Sequence, residues 1–428
     1  MRFTHAVIAL VSMTASCRTP APIQTLAGPL TGNSFVVRDV RVFDGERVIE
    51  RTSVTVRDGR IARVGGSPPR DLPAIDGSGK TLTPGLIDAH GHVQNEAQLR
   101  DALRFGVTTV LDMFSRPEFG RTHRAQRDSI GATSRADYYS SGVPITSPRG
   151  MGTQFGIPLT TISAPGEAAD IVASRVADGV DYVKIMYEPN AGIVSTISYE
   201  TLAAVVREIR RQGKLSVVHV SSQQGARDVV RAGADGLAHL FADSLIDPAL
   251  VQAIVVRRMF VVPTLTNFTS FHDSTLRRSL AADPRIAPYL SVAQRRALSG
   301  PTPSKDSPMA PYLARFNAAR AGENVRRLHA AGVRILAGDD AASDLSPMGV
   351  SIHGELRLLT EAGLTPREAL IAATSLPASI FGVSDRGRIV AGARADLLLV
   401  NGNPMEDITA TRAIARVFKN GYEVSRQP

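Results

Sequence analysis

The chain has 428 residues, 43% hydrophobic and 21% charged, and 49 Lys+Arg against 40 Asp+Glu give a formal net charge of +9. This balance excludes a mostly disordered chain, which would be poorer in apolar residues and more strongly charged. The length suits two or three domains, or one large barrel with an appendage, and allows a large core.

The basic excess points away from nucleic acid once it is broken down. Only five of the basic residues are Lys: Lys80, Lys184, Lys214, Lys305 and Lys419. The Arg are scattered and interleaved with Asp and Glu. There is no block of like charge and no basic stripe carrying aromatics. The surface reads as Arg-biased and solvated, with no nucleic-acid partner.

Residues 1–17, MRFTHAVIALVSMTASC, begin with a positive Arg2, continue as a short apolar run and end small-small-Cys. This is the shape of an export signal, too short to span a bilayer. Its end resembles a bacterial lipobox, with Thr14 where Leu is commonest, and Cys17 would become the lipidated first residue. The expectation is an exported, periplasmic chain held to a membrane only through that lipid. Residues 18–33, rich in Pro, Thr, Gly and Ala, read as a flexible tether. Without Cys17 no cysteine is left, so no disulfide supports the fold.

Residues 34–82 read as short β pieces that alternate apolar and polar positions. They are broken by Asp44-Gly45, Asp58-Gly59 and Asp76-Gly77, which are hairpin signals. Residues 380–428 return to that pattern, and the two segments are expected to form one small composite β-sandwich. Between them, residues 83–379 alternate apolar strands with amphipathic helices. The strands are expected at residues 86–89, 107–112, 137–141, 182–186, 216–219, 236–239, 260–263 and 334–338. Two of the helices are expected at 199–212 and 314–331. Eight such units imply an α/β fold, a distorted (β/α)8 TIM barrel with its function at the carboxyl ends of the strands.

Four of the nine His fall at those strand ends. His90 and His92 stand two apart, so both point to one side of a strand and are able to grip one ion, with Gly91 uncrowded between them. His219 ends the fifth strand and His239 the sixth. Asp339 and Asp340 end the eighth. Imidazole and carboxylate together suit zinc and similar divalent ions. Lys184 is conspicuous because a scarce Lys lies in an apolar strand, VDYVKIMY, where Lys is almost never buried without a special partner. Its amine, after adding carbon dioxide, would be a carbamate able to bridge two ions.

The run TPGLIDAHGH, the strand Lys184, the single His219 and His239 and the late Asp resemble the metal-dependent amidohydrolase superfamily. The likeness is to its imidazolonepropionase-like and Xaa-Pro-dipeptidase-like members. The stretches HGELRLLTEAGLTPREALIAATSLPASIFG and RGRIVAGARADLLLV add to it, so it covers about residues 35–425. The resemblance implies that His90 and His92 hold a first metal and that Lys184 bridges as a carboxylated lysine. It implies that His219 and His239 hold a second metal, and that Asp340 contacts the first and shuttles protons. Asp340 and Lys184 are thus the expected catalytic residues. The implied cofactors are two divalent ions, Zn2+ before Mn2+, Co2+ or Fe2+, with carbon dioxide on Lys184. The implied reaction is hydrolysis of an amide, peptide or related C–N bond of a small substrate through a metal-bridging hydroxide. A homo-oligomer is compatible with this reading.

Two departures stand out. The usual Gly-Thr-Asp is Gly338-Asp339-Asp340, which leaves Asp339 as a rival for Asp340. Relatives often have Gly-His-Gly where this chain has Gly150-Met151-Gly152. Substrate contacts are expected from Tyr187, Arg149, Met151 and His353. Arg149 is suited either to pairing with a substrate carboxylate or to a plain surface place, and His353, which begins the helix after the eighth strand, reads as structural or as a support behind the site. A deaminase would place a Glu three residues after His219, where Ser222 stands. A lactonase or phosphotriesterase would share the metal site, and a metal-free binding lipoprotein would not need the ligand set.

Three decoys fall away. The run AIDGSGKT resembles a phosphate loop, but LTPGLIDAH follows it in place of a helix. Neither a Gly-x-Ser-x-Gly elbow nor His-Glu-x-x-His is present. His5, His123, His272 and His329 lie outside the strand-end pattern.

Overall fold

The computed structural model describes residues 28–189, 192–306, 310–341 and 345–428. The expected export signal and Cys17 lie outside the described residues. Among the described residues, no helix is long and apolar enough to cross a membrane.

The chain opens with β1 (Phe35–Phe43), β2 (Val48–Arg57), β3 (Arg60–Val64), β4 (Ala74–Asp76) and β5 (Lys80–Pro84). Asp58 and Gly59 form the two-residue turn between β2 and β3, both with positive φ, at 50° and 77°. Such turns match the twist of paired strands, which is why Asp-Gly signals them. At Asp44, the carboxylate accepts from the amides of Glu46 and Arg47 and ties the first hairpin. The third Asp-Gly makes no hairpin, because β4 and β5 both run parallel to β1. Gly77 instead lets the chain pass close to β1, since a Cβ there would lie 2.4 Å from Val40.

Eight parallel strands follow: β6 (Leu86–Gly91), β7 (Val107–Asp112), β8 (Asp137–Ser140), β9 (Val183–Met186), β10 (Ser216–His219), β11 (Gly236–Ala238), β12 (Phe260–Val262) and β13 (Arg334–Ile335). The helices between and after them are α1 (Glu96–Arg104), α2 (Pro117–Arg127), α3 (Ala168–Ala177), α4 (Tyr199–Arg211), α5 (Gln223–Ala232), α6 (Pro248–Val256), α7 (Leu265–His272), α8 (Thr275–Ala282), α9 (Val292–Ser299), α10 (Ala310–Leu313), α11 (Ala318–Ala330), α12 (Ile352–Glu361), α13 (Pro366–Ala372) and α14 (Ser375–Ile380). The helices follow ordinary rules. In α4, Ser198 caps the first turn by accepting from Thr201 N, and Leu202, Val205, Val206 and Ile209 form its buried face. The long helix α11 begins four residues later than its apolar pattern suggests. Asn317 caps it by accepting from Arg320 N, and that fixes the start.

The eight strands form two parallel arcs rather than one continuous sheet: β6-β7-β8 and β13-β12-β11-β10-β9. Isolated pairings cross both seams. At one, Ile145 N donates to Lys184 O and Met186 N to Ile145 O, each at 2.9 Å. At the other, Ala89 N donates to Ala337 O at 2.9 Å and His92 N to Ala341 O at 2.8 Å. An apolar cluster of strand residues, including Leu111, Tyr182, Val217 and Phe260, is joined by α14 residues and Phe381. The Phe381 ring lies 4.9 Å from Tyr182 and 5.4 Å from Phe260. Lys184 and His219 stand two residues beyond Tyr182 and Val217, so they share a side with that cluster, towards the carboxyl ends.

The chain ends in β14 (Leu397–Asn401), β15 (Ile414–Lys419) and β16 (Tyr422–Glu423), which join the first strands in one eight-stranded sheet through β14 beside β5. The sheet curls: β1 is bulged at Asp39 (φ 51°) and changes partner from β4 to β5. Phe35 of β1 stacks on Phe418 of β15, with ring centroids 4.6 Å apart, although two strands separate them in hydrogen-bonding order. A buried ionic cluster ties this sheet to β8. Lys419 Nζ lies 2.6 Å from both Asp137 and Asp396, and Arg386 Nε lies 2.6 Å from Asp137.

Candidate metal centre

The carboxyl ends of β6, β9, β10, β11 and β13 bring six side chains together. His90 is the last residue but one of β6, fully buried, and His92 follows the strand. Gly91 is required between them, because a Cβ there would lie 2.7 Å from Val110. Gly338 is required too, since its Cβ would meet the His90 amide at 2.7 Å. His92 Nε2 lies 2.8 Å and His90 Nε2 3.4 Å from Asp340 Oδ1. Donor atoms of His90, His92 and Asp340 all fall within 4.8 Å of one another, which is the spacing of a shared ion. His239 closes on the same group, its ring 4.6 Å from His90 and from His219, and its Nδ1 3.9 Å from Asp340.

The backbone at these ends is bent to make the approach. His239 (φ 68°), Thr264 (φ 53°) and Asp340 (φ 54°) follow β11, β12 and β13 in left-handed conformations that non-glycine residues rarely adopt. Each costs about 1–3 kcal/mol and persists only where packing imposes it. This is why His239 stands just beyond β11 rather than as its last residue.

Electrostatics favours metal-ready ligands. Burial, reinforced by Lys184, drives the His90 imidazole well below its ordinary pKa, and burial does the same to His239. Both are therefore neutral, with lone pairs to offer. Burial tends to raise the Asp340 carboxyl, but His239, His92 and Lys184 outweigh it and hold it at about 2. Lys184 is completely buried, and its Nζ has His90 Nε2 at 3.5 Å as a neighbour. Desolvation lowers its amine to about 7, against the attraction of Asp340 and Asp112. A neutral amine is the form that adds carbon dioxide.

The rival acid sits in different surroundings. Asp339 is fully buried beside Asp88, and burial and that neighbour push its pKa well up. Asp88 itself, raised by burial to about 6, accepts from the His90 amide at 3.0 Å and steadies the strand end.

The four expected substrate contacts are placed less favourably. Tyr187 is buried and donates its hydroxyl to Asp228 at 3.0 Å on α5, while its amide donates to His219 O at 3.1 Å. His353 is buried with both ring nitrogens engaged, by Thr411 Oγ1 and Phe105 O, each at 3.0 Å. Burial lowers it to about 3. Met151 is buried in the main core, and its sulfur receives Gln154 Nε2 at 3.1 Å. Arg149 is exposed in a left-handed turn (φ 57°) and stays available to solvent.

Several partners of the centre were not evident from the sequence. Thr264 Oγ1 lies 2.8 Å from His239 Nδ1, which leaves Nε2 as the free ring atom. Asn267 Nδ2 donates to Asp340 Oδ2. Buried Glu355 on α12 accepts from Leu265 N at 3.0 Å and Thr266 N at 2.7 Å and so anchors the turn that carries both. Glu188, 1% exposed, lies 2.5 Å from His219 Nε2. A parity count from Lys184 would have flagged Glu188, since i and i+4 share a side of a strand.

The Amidohydrolase family model matches residues 81–424. The chain belongs to the amidohydrolase family. It is 28% identical over 413 residues to an imidazolonepropionase of Ectopseudomonas mendocina, covering 91% of this chain and 97% of that protein. It is 42% identical to an imidazolonepropionase of Deinococcus radiodurans, but only over 64 residues, 14% of this chain and 16% of that protein. Its fold is similar to that of a Xaa-Pro dipeptidase solved with methionine in its active site, with a TM-score of 0.73 and 20% identity over 92% of this chain and 100% of that one. An amidohydrolase-family hydrolase with an α/β barrel-like body and an added β domain is thus the frame in which the cluster sits.

Proposed function

We propose that the protein is a binuclear metal-dependent hydrolase of an amide or peptide-type C–N bond in a small substrate, such as a dipeptide, an N-acyl amino acid or a cyclic amide. The observation that carries this reading is the convergence of His90, His92 and Asp340 on one point beside a desolvated Lys184. The donor set fits divalent metal, because the buried His90 and His239 imidazoles are neutral and the Asp340 carboxylate is ionised. In this reading the two strand arcs together make the distorted eight-stranded barrel.

His90, His92 and Asp340 would hold one ion, and His219 with His239 the other. Lys184, as its carbamate, would join the two. Two such ions supply Lewis acidity for water activation and carbonyl polarisation. The chain's own contribution is geometric and protonic. Asp340, held ionised by its neighbours, is placed to accept a proton and return it to the leaving amine. The hydrogen bond from Asn267 fixes the carboxylate's orientation while it does so. Thr264 holds the His239 ring in one orientation through Nδ1. Export and lipid attachment at Cys17, with a small molecule as partner, complete the proposal.

The test is metal analysis followed by a substrate screen. Zinc or manganese reconstitution is expected to give two ions per chain, and dipeptides or N-acyl amino acids to be hydrolysed. Less than one ion per chain would sink the enzyme reading. Turnover confined to lactones or phosphotriesters would move the reaction class on the same ligand set.

A further inference from the structure

The position of Glu188 is unusual for a surface-forming residue type. It lies just beyond β9, 1% exposed, and its two carboxylate oxygens are fully engaged. Oε1 lies 2.5 Å from His219 Nε2 and accepts from Tyr312 Oη at 2.9 Å, and Oε2 accepts from Ser221 Oγ. Its amide donates to Thr196 Oγ1 at 3.0 Å. Tyr312 and Ser221 thus hold the carboxylate against the imidazole, and Thr196 holds the backbone that carries it.

That contact decides which ring atom of His219 is free. Nε2 is taken up on two sides, by Glu188 Oε1 at 2.5 Å and by the Tyr312 hydroxyl at 3.4 Å. Nδ1 is the ring nitrogen left to face an ion. We infer that Glu188 is a positioning residue for the second metal site: by engaging Nε2 it holds the His219 ring so that Nδ1 is the ligand atom.

His239 shows the complementary arrangement, with Nδ1 bonded to Thr264 and Nε2 free. The pair would present one nitrogen of each kind to a single ion. Carboxylate partners of ligand imidazoles both orient the ring and raise its basicity, and their loss typically costs about 10–100-fold in metal affinity. Tyr312 comes from α10, between β12 and α11, so α10 helps to build the second site. The inference rests on the two-ion reading above.

The test uses the full chain, stripped by chelation and titrated with Zn2+ against a chromophoric competitor, as wild type, Glu188→Leu and Glu188→Gln. Wild type is expected to bind two ions. Glu188→Leu is expected to keep the first-site affinity and lose about 10–100-fold at the second. Glu188→Gln, whose side chain still reaches Nε2, is expected to lose less. The metal-free 15N spectrum of histidine-labelled protein, with His219→Asn to assign the resonance, is expected to show a single ring form in wild type and a tautomer mixture in Glu188→Leu.

Equal affinities at both sites in Glu188→Leu and Glu188→Gln would overturn the inference and leave the two-ion reading intact. Binding of no ion by wild type would overturn both. If Glu188→Leu does not fold, as judged by circular dichroism, Glu188→Gln decides alone, and an unchanged second-site affinity overturns the inference.

Discussion

Lys184 Nζ lies 3.5 Å from His90 Nε2 in a pocket with no solvent access. An ammonium there would leave most of its three donors unmet, and desolvation accordingly lowers the amine to about 7. In the unfolded chain it returns to 10.5. The unfolded state therefore binds more protons between those two values, and the metal-free protein gains stability from this group as pH rises from about 7 towards 10.5. Lys184→Met is expected to flatten that part of the stability–pH curve. Urea titrations of the chelated protein across that range measure it.

The same substitution is expected to abolish turnover and lower metal content, because the bridging carbamate is lost. Retained activity in Lys184→Ala would remove the carbamate from the proposal. His219→Ala is expected to behave in the same way through the second ion. Metal content by atomic emission, measured beside activity, separates a lost ligand from a lost fold.

Asp340→Asn keeps the shape, exchanges one acceptor oxygen for a donor and cannot take a proton. Its kcat is expected to fall about 10²- to 10⁴-fold, the usual contribution of a positioned proton-transfer group. Asp339→Asn, at a buried carboxyl whose pKa burial and Asp88 push well up, is expected to fall far less. Equal losses in the two variants would contradict the assignment of roles.

Lys419 holds Asp137 and Asp396 at 2.6 Å each inside the junction of the two domains. Lys419→Met would leave the buried carboxylates undercompensated and is expected to destabilise the fold by about 3–5 kcal/mol. Denaturant unfolding measures this. A loss under 1 kcal/mol would show that Arg386, also 2.6 Å from Asp137, carries the cluster alone.

Local features were the ones a linear reading could reach. His90 and His92 announce themselves by their spacing, and Lys184 by its rarity in an apolar strand. The Asp58-Gly59 turn follows from two small residues that tolerate positive φ. What stayed hidden depends on contacts between distant parts of the chain. Tyr312 meets Glu188 across 124 residues and Thr264 meets His239 across 25, and no periodicity encodes either. Tyr187 and His353 looked like pocket residues because they flank strand ends. Their polar atoms instead found partners in the core, Asp228 for one and Thr411 with Phe105 for the other. The left-handed backbone at His239 and Asp340 likewise follows from packing, because neither residue type demands it.

The pairing of β5 with β14 also sets an order in time. Thr83 and Leu398, opposite each other in that pair, are 315 residues apart. At a synthesis rate of about 5–20 residues per second, β5 waits roughly 15–60 s for its partner to leave the ribosome. Through that interval the growing chain carries an open strand edge, the kind of surface on which chains stick to one another. Pro84, which has no amide to donate, closes β5 at its far end and shortens the exposed ladder. Yield at high expression should therefore depend on how fast the segment carrying β14 arrives, and slow codons in the stretch that encodes it would be felt as aggregation rather than as lost activity per folded molecule.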